Sequence, residues 1–229
     1  MTKSEIIKFL ILRSIGNFLV LFAMFGVIAT FGPVLYYESL FRIAQLRGIS
    51  YKVSDSFASS NSTENIIGFA DVLAGAKEQV LNPIDTKFGI FIAKIGANAK
   101  VYPNIDPGNS GEFLPILQNG VAHAKGTVFP GQKGNIYLFA HSTDNFWNVG
   151  RYNAVFYLLK ELEAGDEVYL FFKGKRYNYV VYDKKIVEAK EVDFVDAALG
   201  TGERIILQTC WPPGTDWKRL LIFAKPKIN

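Results

Sequence analysis

The strongest constraint on this chain is a run of 24 residues without a charged side chain, residues 14–37. A helix needs about 20 apolar residues to cross the ~30 Å hydrocarbon core of a bilayer, so the run is long enough to span a membrane. A buried core helix and a cleaved signal peptide are the alternatives. A charge-free run of this length is unusual for a core helix, and no A-x-A-like cleavage site follows it. We therefore favour an uncleaved transmembrane anchor at residues 14–37, after a short N-terminal tail of residues 1–13.

The region after this anchor divides into a stalk and a globular domain. Residues 54–65 are rich in Ser and Asn, which is typical of a flexible linker, and residues 66–81 have the spacing of a short amphipathic helix. We assign residues 38–82 to a stalk and residues 83–229 to the domain. Basic residues flank the anchor on both sides, so the charge bias is weak. A short N-terminus inside and a large domain outside is the usual arrangement, which predicts a single-pass protein of the cell membrane with an extracytoplasmic domain.

The sequence pattern of the domain is typical of a β-barrel. Short apolar runs alternate with turn residues, and the predicted strands are residues 87–96, 135–142, 204–210 and 217–226, with two more in 166–189 joined at Lys173-Gly174-Lys175. Residues 151–165 have helical spacing and predict a helix that ends at Gly165. Many short strands with few helices favour a closed or nearly closed barrel. The net charge is +4 and the basic residues are dispersed, so nucleic acid is not an expected partner.

The chain has one cysteine, Cys210, at the end of an apolar run and directly before Trp-Pro-Pro-Gly-Thr. A lone cysteine is either an inert buried residue or a reactive thiol. A strand end on a rigid barrel suits a nucleophile, because the backbone holds the thiol while the loop leaves it accessible. Arg219 lies in the next predicted strand, and two antiparallel strands would bring it beside Cys210. An arginine stays charged at all relevant pH values and suits a developing oxyanion.

The chain has two histidines, His123 and His141. His141 lies at the predicted end of a strand, whereas His123 lies inside a strand or at its edge. A Cys–His pair is the minimum for thiol acyl transfer, because the thiolate attacks and the imidazolium protonates the leaving amine. Each residue taken alone has a structural or solvent-exposed alternative. The hypothesis of an active site depends on His141, Cys210 and Arg219 occurring together near strand ends of one domain.

Two segments of the chain resemble the sortase family. Residues 207–220, LQTCWPPGTDWKRL, are similar to the sortase signature in which Thr-Cys ends a strand and an Arg follows. Residues 120–142 resemble the stretch that leads through a Gly-Thr and a Pro-Gly turn to the catalytic His. The resemblance covers roughly residues 83–227. Two features differ from the family pattern, since Ala140 replaces the usual Gly before the His and the loop after the Cys is unusual.

The resemblance implies an eight-stranded sortase-type β-barrel with short helices and a cysteine transpeptidase activity without a cofactor or a bound metal. His141 is implied as the acid/base, Cys210 as the nucleophile and Arg219 as the ligand of substrate or oxyanion. Thr209 matches the residue before the nucleophile, and we assign it together with Trp211, which begins the pocket-shaping loop, to substrate binding. His123 aligns with a noncatalytic His and is expected to be structural.

The implied reaction cleaves a sorting motif after Thr, forms a thioacyl enzyme and passes the acyl group to an amine of a cell-wall precursor or a pilin lysine. A calcium site near Glu188, Glu191, Asp193 and Asp196 is a weaker hypothesis than a solvated acidic face. Two alternatives stay open: a thiol peptidase that releases the acyl group to water, and an inactive membrane-tethered barrel that binds a partner. A papain-like enzyme is disfavoured, because such chains place the Cys before the His.

Overall fold

The structure of the protein is a computed structural model that describes residues 3–54, 78–142, 155–191 and 202–227. The chain divides into two compact units, Met1–Arg42 and Ile43–Asn229. The helices and strands in chain order are α1 (Lys3–Leu46), β1 (Ser50–Val53), β2 (Glu78–Leu81), β3 (Phe88–Ile92), β4 (Ala97–Ile105), α2 (Ser110–Leu117), β5 (Val121–Ala124), β6 (Gly134–Phe139), β7 (Glu167–Phe172), β8 (Lys175–Glu188), β9 (Glu203–Trp211) and β10 (Lys218–Pro226), with short 3-10 turns at Ala93–Ile95 and Tyr157–Glu161.

The first unit contains helix α1 up to Arg42, and the helix extends beyond the predicted span at both ends. The part that is long and apolar enough to cross a membrane is Lys3–Ile28, with a mean hydropathy of 2.0 and no buried residue. Its exposed apolar side chains include Phe18, Leu21 and Phe22. The N-terminal helix is therefore a candidate membrane anchor, and it overlaps the predicted segment 14–37 over residues 14–28.

The second unit is built around a closed barrel of eight strands in the order β10-β8-β7-β3-β4-β5-β6-β9. The pairs β4/β5 and β6/β9 are parallel, and the other neighbours are antiparallel. Side chains alternate between the two faces of each strand. Fully buried aliphatic side chains on the inner face include Ile90, Leu138, Leu170, Leu207 and Ile222. The mainly β fold and the eight-stranded barrel implied by the resemblance are confirmed.

The local predictions agree with the structure where turn residues determine the backbone. The expected hairpin is formed by β7 and β8, and its turn contains Lys173 and Gly174 in left-handed conformations with φ of 51° and 74°. The predicted helix at residues 151–165 is wrong in its described part, residues 155–165, which contains only the 3-10 turn Tyr157–Glu161. Phe156, Leu159 and Leu162 are completely buried, and the backbone at Leu162 is already extended. Burial of these three side chains in the barrel core, and not the helical spacing of the apolar residues, determines the backbone conformation here.

Strands β1 and β2 lie inside the segment 38–82 that was expected to form a stalk. They pair in parallel, with Val53 opposite Leu81, and Leu81 packs with Phe91 and Phe171 of the barrel. The predicted helix at residues 66–81 lies outside the described residues over 66–77 and is wrong over 78–81, which is strand β2. Pairing with β1 and burial of Leu81 favour the extended conformation there. The β1–β2 pair is thus part of the globular unit.

Replacing Leu81 with alanine in the full chain is expected to lower the free energy of unfolding by about 2–3 kcal/mol, because it opens a cavity against Phe91 and Phe171. The matched control is Val80→Ala in the same strand. Val80 is 63% exposed, and its truncation should change stability by less than about 0.5 kcal/mol. Denaturant unfolding followed by tryptophan fluorescence measures both. Equal effects of the two variants would contradict the packing of β2 on the barrel.

Candidate active site

Cys210 is the next-to-last residue of β9, and its thiol is free and half-buried. The strand forms because residues 203–211 are rich in β-branched and apolar side chains, of which Ile205, Ile206 and Leu207 are buried completely. Strand alternation places Cys210 on the same face as Ile206, which belongs to a cluster with residues of helix α2. This face is therefore the outer face of the barrel, and the thiol is at its edge.

Arg219 lies directly opposite Cys210 in the antiparallel pair β9/β10. Residues opposite each other across a ladder project their side chains to the same face. The Nη1 group of Arg219 donates hydrogen bonds to the backbone carbonyls of Asp216 at 2.9 Å and Lys218 at 3.0 Å. These bonds hold the guanidinium against the β9–β10 loop, next to the thiol.

His141 lies two residues beyond the end of β6 and is half-buried. The parallel register of β6 and β9 sets Phe139 opposite Gln208, and the pairing continues because the Ala140 amide donates to the Gln208 carbonyl at 3.2 Å. Extending this register by two residues places His141 opposite Cys210. With this extension, His141, Cys210 and Arg219 form one row across the neighbouring strands β6, β9 and β10, in which only the pair of Cys210 and Arg219 is part of the observed ladder.

The electrostatics around Cys210 combine three effects. Burial raises the pKa of the Cys210 thiol, the Arg219 charge lowers it, and the Asp216 carboxylate raises it. The pKa lies above the ordinary thiol value, because burial is the largest of these effects. The resting residue is therefore a thiol near neutral pH, and an attacking thiolate requires a base that accepts its proton.

Removing one or the other of the two charges near the Cys210 thiol is expected to move the pKa of that thiol in opposite directions. Asp216→Asn should lower the pKa of Cys210, whereas Arg219→Gln should raise it, because the first removes a negative charge and the second a positive one. The pH dependence of iodoacetamide alkylation measures the pKa, since only the thiolate reacts. Shifts in the same direction in both variants would contradict the proposed arrangement of charges.

Two polar residues on the same face, Tyr137 and Gln208, were not among the predicted site residues. The Tyr137 hydroxyl donates a hydrogen bond to Oε1 of Gln208. Burial raises the pKa of Tyr137, while the Arg219 charge lowers it, so the guanidinium lies near the phenol. The signal was present in the sequence. Each residue is polar within an apolar run and has an even spacing, four before His141 and two before Cys210.

The two residues assigned to substrate binding differ in their surroundings. Thr209 is buried on the opposite face from Cys210, and its Oγ1 donates to the Ala140 carbonyl at 3.1 Å. This bond joins the ends of β9 and β6 directly before His141. Trp211 is half-buried and pairs with Lys218 at the start of the loop. Substrate contacts of Thr209 and Trp211 stay a prediction.

His123 lies away from this row, in β5, with no exposed surface. Its ring stacks on Phe129 at a centroid distance of 4.6 Å. The Asn104 amide donates to Nδ1 at 3.3 Å, which places the proton on Nε2, where the Val128 carbonyl accepts at 3.0 Å. Burial lowers the pKa of His123, so the ring is held neutral. These contacts agree with the structural role expected for His123.

The hypothetical calcium site is only partly covered by the residues that the structure describes. Those residues contain no group of three or more His, Cys, Asp or Glu side chains that could hold a metal ion. Two of the acidic residues of the hypothetical calcium site, Asp193 and Asp196, lie outside the described residues.

Comparisons with known proteins identify the family of the chain. A family model described as Sortase domain matches residues 90–227. Sortase D of Bacillus subtilis (strain 168) is 30% identical over 112 residues, which cover 48% of this chain and 51% of that protein. The chain thus matches about half the length of this curated relative.

Solved structures of sortases resemble the barrel. Sortase C-1 from Actinomyces oris has a TM-score of 0.53 at 26% identity, covering 64% of this chain and 76% of that chain. Sortase C from Clostridium perfringens, solved with the C-terminal cell wall sorting motif, has a TM-score of 0.50 at 26% identity, covering 62% of this chain and 70% of that chain. Because the domain match spans more than half of the chain and includes the strands that present Cys210 and Arg219, the chain belongs to the sortase family.

Proposed function

We propose that this protein is a cysteine transpeptidase that cleaves an LPxTG-like sorting motif and transfers the acyl part to an amine. The observation that carries the proposal is the pairing of Arg219 opposite Cys210, together with the β6/β9 register, which places His141 opposite Cys210 when it is extended by two residues. This row combines a nucleophile, an acid/base and a cationic hydrogen-bond donor at the same end of neighbouring strands.

The first half of the reaction forms a thioacyl enzyme. Sγ of Cys210 attacks the carbonyl carbon of the scissile peptide bond while His141 accepts the thiol proton. This transfer is necessary because the raised pKa of Cys210 keeps the resting thiol protonated. The C–N bond then breaks, and the leaving amine takes the proton from His141. The attacked carbon remains bound to sulfur as a thioester.

Arg219 stabilises the oxyanion that develops on the attacked carbonyl. Its hydrogen bonds to the described residues use only Nη1, so the rest of the guanidinium presents further N–H donors. The carbonyls of Asp216 in the β9–β10 loop and of Lys218 at the start of β10 hold the group before substrate arrives, which reduces the reorganisation needed in the transition state.

The second half of the reaction returns the enzyme to its starting state. A neutral amine attacks the thioester carbon and gives its proton to His141, and the C–S bond breaks as that proton returns to Cys210. The acceptor amine would belong to a cell-wall precursor or to a pilin lysine. The neighbouring sortase C structure holds a C-terminal cell wall sorting motif, which supports the same substrate class here.

The N-terminal helix supports a location at the membrane. Lys3–Ile28 is apolar enough to span a bilayer, which would tether the barrel as a single-pass extracytoplasmic domain. A tethered enzyme of this kind would act on substrates that are themselves exported.

The test uses the full chain in detergent with a library of LPxTG-like peptides and diglycine as the amine, analysed by mass spectrometry. We expect ligated peptides together with a Cys210 thioester in acid-quenched samples. Hydrolysed peptide without ligation would replace the proposal with a thiol peptidase. The absence of both products together with an unreactive Cys210 would replace it with an inactive tethered barrel.

A further inference from the structure

His123 is a titratable residue inside the barrel that the acyl-transfer chemistry does not use. In β5 its neighbours Ala122 and Ala124 belong to the outer cluster with helix α2, so strand alternation directs the His123 ring inward. The ring centroid lies 5.6 Å from that of Phe88 and 4.6 Å from that of Phe129, and no part of the residue is exposed. The interior of the barrel thus contains a base that has no contact with bulk solvent.

Both ring nitrogens of His123 are bonded to other segments of the domain. Nδ1 accepts the Asn104 N–H of β4 at 3.3 Å, and Nε2 lies 3.0 Å from the Val128 carbonyl and 3.1 Å from Oγ1 of Thr127. The Thr127 hydroxyl donates its proton to the Ala124 carbonyl at 2.7 Å, so it can only accept from Nε2. The contacts on both sides of the ring therefore assign the ring proton to Nε2 and leave Nδ1 as an acceptor.

The bond to Nδ1 holds an irregular part of β4. Asn104 has a left-handed backbone with φ of 59°, and the pairing of β4 with β5 shifts register between Tyr102 and Ile105. Such a bulge leaves backbone groups outside the ladder, and a side chain that accepts the freed N–H stabilises it. An imidazolium carries a proton on each nitrogen and accepts no hydrogen bond. Protonation of His123 would therefore set a ring N–H against the Asn104 N–H and break this contact.

The surroundings of the His123 ring do not favour a positive charge. Within the described residues no carboxylate is among the causes that set its pKa: burial lowers the pKa, and the bond to the Val128 carbonyl raises it by less. The side chains in contact with the ring, Phe88, Phe129 and Thr127, are uncharged. The charged side chains on the segments next to it are exposed lysines and a half-buried aspartate, namely Lys87, Lys100, Lys125, Lys133, Lys173 and Asp106.

We propose that His123 makes the barrel acid-sensitive: its ring holds the β4 bulge only in the neutral form, and uptake of a proton releases the Asn104 contact and loosens the barrel. The inference goes beyond the proposed function, because it uses none of the three residues of the acyl-transfer row. A domain that faces the cell exterior experiences the pH of the medium, so its fold would respond to acidification directly.

Stability is expected to fall as the pH falls below the ordinary histidine pKa of about 6.5. Above that value His123 is neutral in both the folded and the unfolded state and adds no pH dependence. Below it, the unfolded chain binds a proton that the folded protein excludes, because the pKa of folded His123 is lowered. The unfolding equilibrium constant therefore rises by up to about 10-fold for each pH unit, until the folded ring is protonated as well.

Urea unfolding of the full chain in detergent, followed by tryptophan fluorescence at a series of pH values, tests the proposal. The chain has two histidines, so His141→Gln leaves His123 as the one titrating ring and should retain a rise of about 10-fold between about pH 6.5 and pH 5.5. His123→Gln is the matched variant and should lose that rise, since glutamine offers an acceptor and a donor without titrating. Carboxylates titrate at lower pH and contribute alike to both proteins. An equal rise in the two variants, or none in His141→Gln, would overturn the inference.

NMR of the His141→Gln protein with 15N-labelled histidine examines the His123 ring directly and does not depend on the folding of His123→Gln. We expect Nδ1 without a proton, Nε2 with one, and no titration of the folded signal down to about pH 5.5, with the imidazolium appearing only as the barrel loosens or unfolds. A ring that titrates at the ordinary pKa of about 6.5 in the folded protein would refute the role of His123. Neither measurement uses acyl transfer, so a failure of the proposed function would leave this inference intact.

Discussion

Cys210→Ala is expected to abolish acyl transfer, with a fall in kcat/KM of roughly 10,000-fold or more. Cys210 is the only cysteine in the chain, so no other thiol is available to form the thioacyl intermediate. The substitution removes only the sulfur atom from a half-buried site at a strand end, so the fold should be retained. The measurement is ligation of an LPxTG-like peptide to diglycine, with mass spectrometry of the acid-quenched protein.

The control experiment measures peptide binding to the Cys210→Ala variant itself. Arg219 and the strands β6, β9 and β10 are unchanged in this variant, so the peptide that wild type turns over should still bind. A loss of binding together with a lower unfolding temperature would mean that the substitution disturbed the barrel. Ligated product from a folded Cys210→Ala protein would refute the whole mechanism.

Arg219→Gln is expected to lower kcat/KM by about 100- to 1000-fold, the range found when one oxyanion donor is removed. The substitution removes the positive charge opposite Cys210 and part of the hydrogen bonding to the β9–β10 loop. Most of the loss should appear in kcat, since the oxyanion exists only after attack has begun. The measurement is steady-state kinetics of peptide ligation at a pH where Cys210 reactivity has been calibrated by alkylation.

Lys218→Gln is the matched control for Arg219→Gln. It removes the same charge one residue earlier in the same strand, on the opposite face, where Lys218 pairs with Glu188 on the exposed surface. Its kcat/KM should stay within about 2-fold of wild type, since exposed ion pairs contribute little. Equal losses in the two variants would assign the effect to net charge around the loop, and not to the guanidinium facing Cys210.

Local patterns predicted much of this structure because local chemistry decides turns and faces. The Lys173-Gly174-Lys175 turn was predictable, since a glycine between two β-rich runs favours the left-handed conformation that a tight hairpin needs. The helix predicted at residues 151–165 was not supported in its described part, because Leu159 and Leu162 are buried in the core whatever their spacing along the chain. Burial also outweighed helical spacing in strand β2, where Leu81 packs on Phe91 and Phe171.

The candidate site was predictable in its residues and only partly in its geometry. The order of His141, Cys210 and Arg219, each at or near a strand end, is readable from the sequence. The proximity of Cys210 and Arg219 is also predictable from the sequence. The two residues are nine positions apart on antiparallel strands that a short loop joins, which brings them opposite each other. Gln208 and Tyr137 were missed because their contact joins strands that are distant in the chain.

The sequence by itself determined the apolar N-terminal helix, the types and order of the candidate site residues and the β character of the domain. The tertiary structure alone decided that β6 pairs in parallel with β9, that the sheet closes through β10 and β8, and that β1 and β2 join the globular unit. The physical reason is that periodicity records which face of a strand is apolar, whereas the partner of a strand depends on packing between distant segments. The row formed by His141, Cys210 and Arg219 exists only once those distant strands have paired.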